Sequence, residues 1–461
     1  MRKKYEPQLT VDDAIFLRGG DYFPEDAQLN KMSDILDENP ELLEAVAGDL
    51  QQELKATGAE GMSAEQVLRS AILYQLQGYP YRELALRLAD SFNFRKFTRF
   101  YARKVPHFSN FEKAIKKIRP ETWERVNDLL LQYAIKKKVE SGGRLRADAT
   151  VAETNIHHPT DAGLIADGAR VLDRLMRGAR LDCPGVSFAY HNRMKRVKKL
   201  AFKIAMAKGP KAEENRSVWY RELLPLIREV LALARGCREA LVRAELRFVE
   251  DTMRRALVSE LEDYLPLVDR VAGQCSRRVL EGEKVPAGEK LVSIFEPHTD
   301  IICRGKSHSP AEFGHKVMAA TGSSGLVLQY QVCSGNRPDD EYFAGLLEKH
   351  AAQFGRAPEE FTADRRFYHA RNERLAEAGE YRVDRLAIPK PGRRSPERIA
   401  HERQPWFKQL LRFRAGIEGG FSTLLRCFGW GRCLWRGLSS FGSWVGLSVL
   451  SYNLRKLAAL V

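Results

Sequence analysis

The rhythm of apolar and polar positions changes three times along the chain. From about Ser63 to Lys138 apolar residues recur at helical spacing in short runs. Ser63-Ala64-Glu65-Gln66 has the form of a capping box, with Val67, Ile72 and Leu76 following until Gly78. Tyr81 to Asp90 predicts a second helix after a Gly-Tyr-Pro turn. Ser109-Asn110-Phe111-Glu112, another capping box, opens a third. Short helices joined by tight turns fit a helix-turn-helix module. Behind the second helix, Arg95, Lys96, Arg99, Arg103 and Lys104 interleave with Phe92, Phe94, Phe97, Phe100 and Tyr101. That segment is either a DNA-facing surface or the solvated face of a small bundle.

Period two follows. In Arg144 to Val151 the apolar residues fall on odd numbers, so Asp148 shares the polar face of a strand with Arg146 and Thr150. From about Asp161 to Leu280 the pattern is helical again. Met194, Val197, Ala201 and Ile204 form one stripe, and Arg193, Arg196, Lys199 and Lys203 another. Leu291–Phe295, Lys316–Ala320 and Leu326–Val332 then read as strands, with Gly322 to Gly325 as a hairpin turn. Asp340–Phe354 predicts a helix, Glu360–Asp364 a strand, Asn372–Ala378 a helix and Tyr381–Ile388 a fifth strand of this group. A long helix runs from Trp406 to Phe428. With the helical block set aside, strands and helices alternate as in an α/β layer whose first strand is split from the rest by an insertion. The expected division is a helical lead-in over 1–62 and a helical DNA-binding domain over 63–140. A catalytic domain over 141–160 and 288–461 is interrupted by a helical insertion over 161–287.

Composition narrows the partners. The chain of 461 residues carries 75 Lys and Arg against 60 Asp and Glu, a net charge of +15, which favours a polyanion such as DNA. Seven cysteines are scattered with no CxxC pair, which speaks for a reducing compartment and against a zinc knuckle. No signal peptide is read at the start, and the apolar run Trp444 to Leu450 is too short to span a bilayer. A soluble, cytoplasmic protein is expected.

Three acids stand out by context. Asp148 lies on the polar face of the first strand. Asp364 ends a strand, where open α/β sheets place their ligand crevice. Glu418 sits among Gly416, Gly419 and Gly420 inside a helix whose apolar period runs on through Leu410, Phe413, Ile417, Phe421 and Leu424. Each glycine costs about 1 kcal/mol there relative to alanine, a local inconsistency of the kind expected at functional sites. Carboxylates converging on one crevice of a basic protein fit two divalent ions clamping a phosphodiester, Mg²⁺ first and Mn²⁺ as a substitute. The histidines, among them His157, His158, His298, His308 and His315, lack HExxH or HxH spacing. No Walker loop or GxSxG elbow occurs.

Together these residues give a resemblance. Asp148-Ala149-Thr150, Glu153-Thr154-Asn155-Ile156 and Pro159-Thr160-Asp161 begin it. His298-Thr299-Asp300-Ile301-Ile302 through Gly305-Lys306 and Glu312-Phe313-Gly314-His315-Lys316 continue it. Ala363-Asp364-Arg365, Arg414-Ala415-Gly416-Ile417-Glu418-Gly419 and Tyr452-Asn453-Leu454 complete it. In order and spacing the chain resembles bacterial insertion-sequence transposases of the DDE class. The resemblance implies a ribonuclease H-like mixed sheet with a large helical insertion, an N-terminal all-helical DNA-binding domain, and Asp148, Asp364 and Glu418 as metal ligands. One departure follows the second Asp. Arg365-Arg366-Phe367 stands where the family has an Arg-Gly-aromatic turn, which would strain the backbone if φ were positive at Arg366.

The expected activity is cutting at the element's terminal inverted repeats and joining of the 3′-OH ends to target DNA. Double-stranded DNA is the partner, and a homo-oligomer forms on it. A non-catalytic repressor of the element and a ribonuclease H-like nuclease without joining are the alternatives. Lys390, Arg393, Arg394, Arg412 and Arg414 are expected to hold DNA near the acids, with Arg95, Lys96 and Arg99 contacting it from the helical domain. Arg414, one turn before Glu418, has two possible roles: phosphate contact and orientation of Glu418.

Overall fold

The computed structural model describes residues 4–5, 9–51, 61–245, 248–303 and 311–461. Gly305, Lys306 and His308, and parts of the 1–62 lead-in, lie outside the described residues. The chain divides into two compact units, Met1–Thr154 with Gly314–Val461, and Asn155–Phe313. In chain order the strands are β1 (Arg144–Thr154), β2 (Asp300–Ile302), β3 (Glu312–Thr321), β4 (Val327–Val332), β5 (Glu360–Ala363), β6 (Arg385–Ala387) and β7 (Arg432–Cys433).

The first unit is built on the run β4-β3-β1-β5-β6. β3 pairs antiparallel with β1 and with β4; β1 and β5, then β5 and β6, are parallel, and β7 joins the far end of β1. Three antiparallel strands followed by two parallel ones form the ribonuclease H-like mixed sheet that was expected. β1 alternates as read from Arg144 to Asp148, with Leu145 and Ala147 buried, and then buries Thr150, Val151 and Ala152 in succession. Gly314 is dictated by the closeness of β1 and β3, since a Cβ there would lie 2.0 Å from the Ala152 carbonyl oxygen. The β3–β4 turn is held by the buried Glu140. Its Oε1 accepts from the amides of Ser141 and Gly142 (2.9 and 3.0 Å), and its Oε2 from the Ser324 amide and hydroxyl (3.0 and 2.5 Å).

Two helices complete this core. Pro405–Cys427 runs unbroken through its glycines and buries Phe407, Leu410, Ile417, Phe421 and Leu424. Leu438–Leu460 was not read as a helix from the sequence. It is apolar on nearly every side because it is surrounded, packing on the helices Ala27–Asp37, Ala64–Gln77 and Pro120–Lys136 and on β4. Asn453 on it is fully buried. Its side-chain amide receives the Val327 N–H and donates to the Val327 carbonyl, both at 2.8 Å, so the Tyr452-Asn453-Leu454 motif clasps an edge strand. No helix among the described residues is long and apolar enough to cross a membrane.

The N-terminal part is all helical, as expected. Val11–Arg18, Ala27–Asp37 and Glu41–Gln51 precede Ala64–Gln77, whose Ser63–Gln66 capping box is formed at 3.1 and 3.0 Å. Tyr81–Asp90 follows as read. The third helix starts earlier than its sequence box implied. It spans Phe108–Ile115, with His107 as the cap, while Glu112 pairs with Lys116 at 2.7 Å. These helices share one core with the sheet rather than standing apart from it.

The second unit, Asn155–Phe313, holds the helical block and extends past the 161–287 expected for an insertion. Its helices are Asp161–Asp182, Met194–Met206, Ala212–Arg243 and Phe248–Val279. In the basic stripe Arg193 pairs with Glu229 at 2.6 Å and Arg196 with Glu222 at 3.5 Å, and Lys203 lies over the Trp219 ring. Leu291–Phe295 is not a strand. The Gln274 amide pairs with both backbone groups of Leu291 (2.9 and 3.0 Å), replacing a strand partner while Leu291 and Ile294 sink into the helical core. The other elements hold with shifted ends. Asp339–Tyr342 is a 3₁₀ turn before the helix Phe343–Phe354, and β6 keeps only the Arg385–Ala387 portion of Tyr381–Ile388.

Candidate active site

The parallel pairing of β1 with β5 ends at Ala147 opposite Ala363, so Asp148 and Asp364 are the next residues on the two strands. Asp148 is centrally placed, because its other neighbour, Ala319, belongs to β3. Its Oδ1 accepts from the Ala149 amide at 2.8 Å. Burial pushes its carboxyl up to about 6, the nearby charges of Asp364 and Asp339 add to this, and Arg414 opposes it. Asp364 caps the 3₁₀ turn Arg365–Phe367, accepting from the Arg366 amide at 2.9 Å. Arg366 is not among the residues with positive φ, so the missing glycine leaves no strain there.

Helix Pro405–Cys427 brings the third acid. Arg146, two residues before Asp148, donates from Nη1 to the Phe413 carbonyl at 2.6 Å and lies over the Phe413 ring. A Cβ on Gly416 would come within 2.2 Å of that same nitrogen. Gly416 is therefore small because a strand arginine occupies the space. Gly419 has nothing within 4 Å of its missing Cβ. One turn before Glu418, Arg414 reaches both acids, with Nη1 at 3.5 Å from Asp148 Oδ2 and Nη2 at 3.1 Å from Glu418 Oε1. The Glu418 side chain remains 65% exposed, against 20% for Asp148.

Two further groups were not singled out in the sequence. Asp339 is buried and bound to Lys316 at 2.7 Å, and Lys316 also donates to the Arg337 carbonyl. Arg414 thus pairs with Asp148 and Glu418, Lys316 pairs with Asp339, and Asp364 adds its charge beside Asp148. Hard oxygen donors in excess over cations suit a hard divalent ion. Among the described residues no three His, Cys, Asp or Glu are yet drawn closely enough to enclose one. Arg414 stands between Asp148 and Glu418 instead.

The cations expected on DNA fall into two sets. Arg393 and Arg412 are exposed. Arg394 pairs with Glu402 at 2.7 Å, the same carboxylate that accepts from the Lys390 amide and from Arg398. In the helical region Arg95 donates to the Tyr101 and Arg103 carbonyls at 2.5 and 2.6 Å. Arg99 binds Asp37 at 2.6 Å and Glu65 at 3.2 Å, and Lys96 lies 3.7 Å from Glu25. Of the interleaved aromatics, Phe97 and Phe100 are buried, while the half-buried Phe92 stacks on Phe16 and Phe23.

Comparison with known proteins bears on this geometry. A transposase DDE domain family matches residues 295–454, and a transposase domain family (DUF772) matches residues 18–117. No curated protein and no solved structure matches the chain. The first match spans Asp364 and Glu418 but not Asp148, which the insertion separates from it; sheet pairing brings Asp148 back beside Asp364. The chain belongs to the insertion-sequence transposases of the DDE class.

Proposed function

We propose that this transposase cuts DNA at the terminal inverted repeats of its element and joins the freed 3′-OH ends to target DNA. Asp148, Asp364 and Glu418 are the metal ligands. The observation that carries this reading is the linkage of Asp148 to Asp364 by strand register and to Glu418 through Arg414. The donors are oxygens only, which fits Mg²⁺ or Mn²⁺. A pair of such ions supplies charge neutralisation for the attacking and leaving oxygens.

The chain's own residues do the rest. In the first step water attacks the phosphodiester at the element's end, the P–O3′ bond breaks, and a 3′-OH is released. In the second that 3′-OH attacks a target phosphodiester, one P–O bond forming as another breaks. Asp148 takes its place on the rigid centre of the sheet, fixed by its own neighbour's amide. With cations held by the acids, Arg414 would be free to contact a phosphate oxygen, a role its planar fork suits. Arg393 and Arg412, with Lys390 and Arg394 behind them, hold the flanking duplex. The protein works as a homo-oligomer on its DNA, in the cytoplasm.

The test is a joining assay with terminal-repeat oligonucleotides, a target plasmid and Mg²⁺ or Mn²⁺. Covalent transfer of the 3′ end to the plasmid is expected. Cleavage without transfer would assign a nuclease, and specific binding without cleavage a repressor.

A further inference from the structure

The helical unit Asn155–Phe313 carries a one-sided run of charge. Between Asp182 and Glu213 there is no acidic residue, while Arg193, Lys195, Arg196, Lys198, Lys199, Lys203, Lys208 and Lys211 supply eight cations. Four lysines and one arginine of this run lie on the helix Met194–Met206, which buries Val197, Leu200 and Ile204. That helix breaks two local rules. Its first turn has no acid and no side-chain cap, and it places Lys195 and Arg196 where the helix dipole favours negative charge. Lys195 also stands one turn from Lys199, and Lys199 one turn from Lys203, so like charges repel along the helix. Local inconsistency of this kind is expected where a segment has a function.

Neighbouring side chains relieve only part of the repulsion. Glu229 takes Arg193, Glu222 takes Arg196, and the Trp219 ring lies under Lys203. Lys195, Lys198 and Lys199 are exposed, and among the described residues no carboxylate pairs with them. Phe202 stands one turn after Lys198 and Met206 one turn after Phe202; they are 66% and 55% exposed. A small anion would need enclosure, which these exposed side chains do not give. A long polyanion needs only a row of unmatched cations, because its binding is driven by counterion release. Duplex DNA also offers sugar and base edges between its phosphates, a partner for an exposed ring among lysines.

We propose that the exposed face of Met194–Met206 holds double-stranded DNA without regard to sequence. Lys195, Lys198 and Lys199 take phosphates, and Phe202 takes the apolar edge between them. The inference rests on the action on DNA proposed above and adds a contact surface on the helical unit to the one given to Arg393 and Arg412.

The test measures binding of the full chain to a labelled duplex of random sequence, by fluorescence anisotropy over a range of salt and without metal. The triple variant Lys195→Gln/Lys198→Gln/Lys199→Gln should bind at least about tenfold more weakly at about 0.1 M salt. Its log-log salt slope should shrink by about two to three units, since each phosphate contact contributes about 0.9. The same three positions changed to arginine should keep the parent's slope. Phe202→Ala should weaken binding about threefold with the slope unchanged, because an apolar contact releases no counterion. All these positions are exposed, so the variants should melt with the parent. Parent affinity and slope in the glutamine triple would overturn the surface. So would loss of binding to phosphatidylglycerol vesicles in that triple with DNA binding intact, which would assign the face to a membrane. Failure of the parent itself to bind any duplex would overturn the proposed action on DNA along with the surface.

Discussion

Asp148 on β1 and Asp364 after β5 stand side by side because Ala147 and Ala363 are the last paired residues of a parallel ladder. Successive strand residues alternate faces, so continuing the register by one puts both carboxyls on the face opposite that of the two buried alanines. Both alanines are fully buried, and the acids emerge where the buried ladder stops. A one-residue slip would turn one acid away from the other. The register of one strand pair thus fixes half of the site.

The helix that carries Glu418 gives the first prediction. Gly416 is filled from outside by Arg146, whereas Gly419 faces open space. Gly419→Ala should stabilise the protein by up to about 1 kcal/mol through helix propensity. Gly416→Ala should destabilise it by about 1–2 kcal/mol, because Arg146 must give up the Phe413 carbonyl. Thermal melts of the two variants check the opposite signs.

A second prediction concerns pH. His350 is fully buried, with Nδ1 3.0 Å from the Arg356 carbonyl, and burial lowers its imidazole pKa below the ordinary 6.5. Between the lowered value and 6.5 the unfolded chain binds a proton that the folded chain refuses. Its contribution to stability is therefore present above about pH 6.5 and is lost as the pH falls below it. The drop in melting temperature from about pH 7.5 to about pH 5.5 should be smaller in His350→Gln than in the parent. An equal drop would remove His350 from the account.

DNA affinity should separate the two sets of arginines. Arg393→Ala and Arg412→Ala should weaken binding to end DNA and reduce the log-log salt slope by about one unit each, with melting unchanged. Arg99→Ala should instead lower the melting temperature, since it leaves Asp37 and Glu65 without one of their partners. Salt titrations of binding, paired with melts, distinguish a phosphate contact from a structural ion pair.

What the sequence made legible was mostly local. Alternation located β1, apolar runs located β3 and β4, and the Ser63 capping box formed as read. The failure at Leu291–Phe295 arose where a side chain did the work of backbone: the Gln274 amide took the place of a strand beside Leu291. Nothing in a linear pattern announces such a partner. In the basic and aromatic run after Asp90, Phe97 and Phe100 fill the core and Arg95 and Arg99 tie the turn, so its composition records packing besides any hold on DNA. The acids themselves were legible, but Arg146 was visible only as a polar neighbour of Asp148. Asp339, close enough to raise the Asp148 pKa, gave no signal at all.

The central claim is that Asp148, Asp364 and Glu418 act together on the scissile phosphate. It is tested most directly by strand cleavage with Asp148→Asn, Asp364→Asn and Glu418→Gln, each purified and assayed on terminal-repeat DNA with Mg²⁺ or Mn²⁺. Each should bind that DNA as the parent does, and each should cleave at least about a hundredfold more slowly. Asp148→Asn should also melt no lower than the parent without metal, because it removes a partly desolvated charge beside two others. Cleavage at the parent's rate by any one of the three variants would contradict the claim.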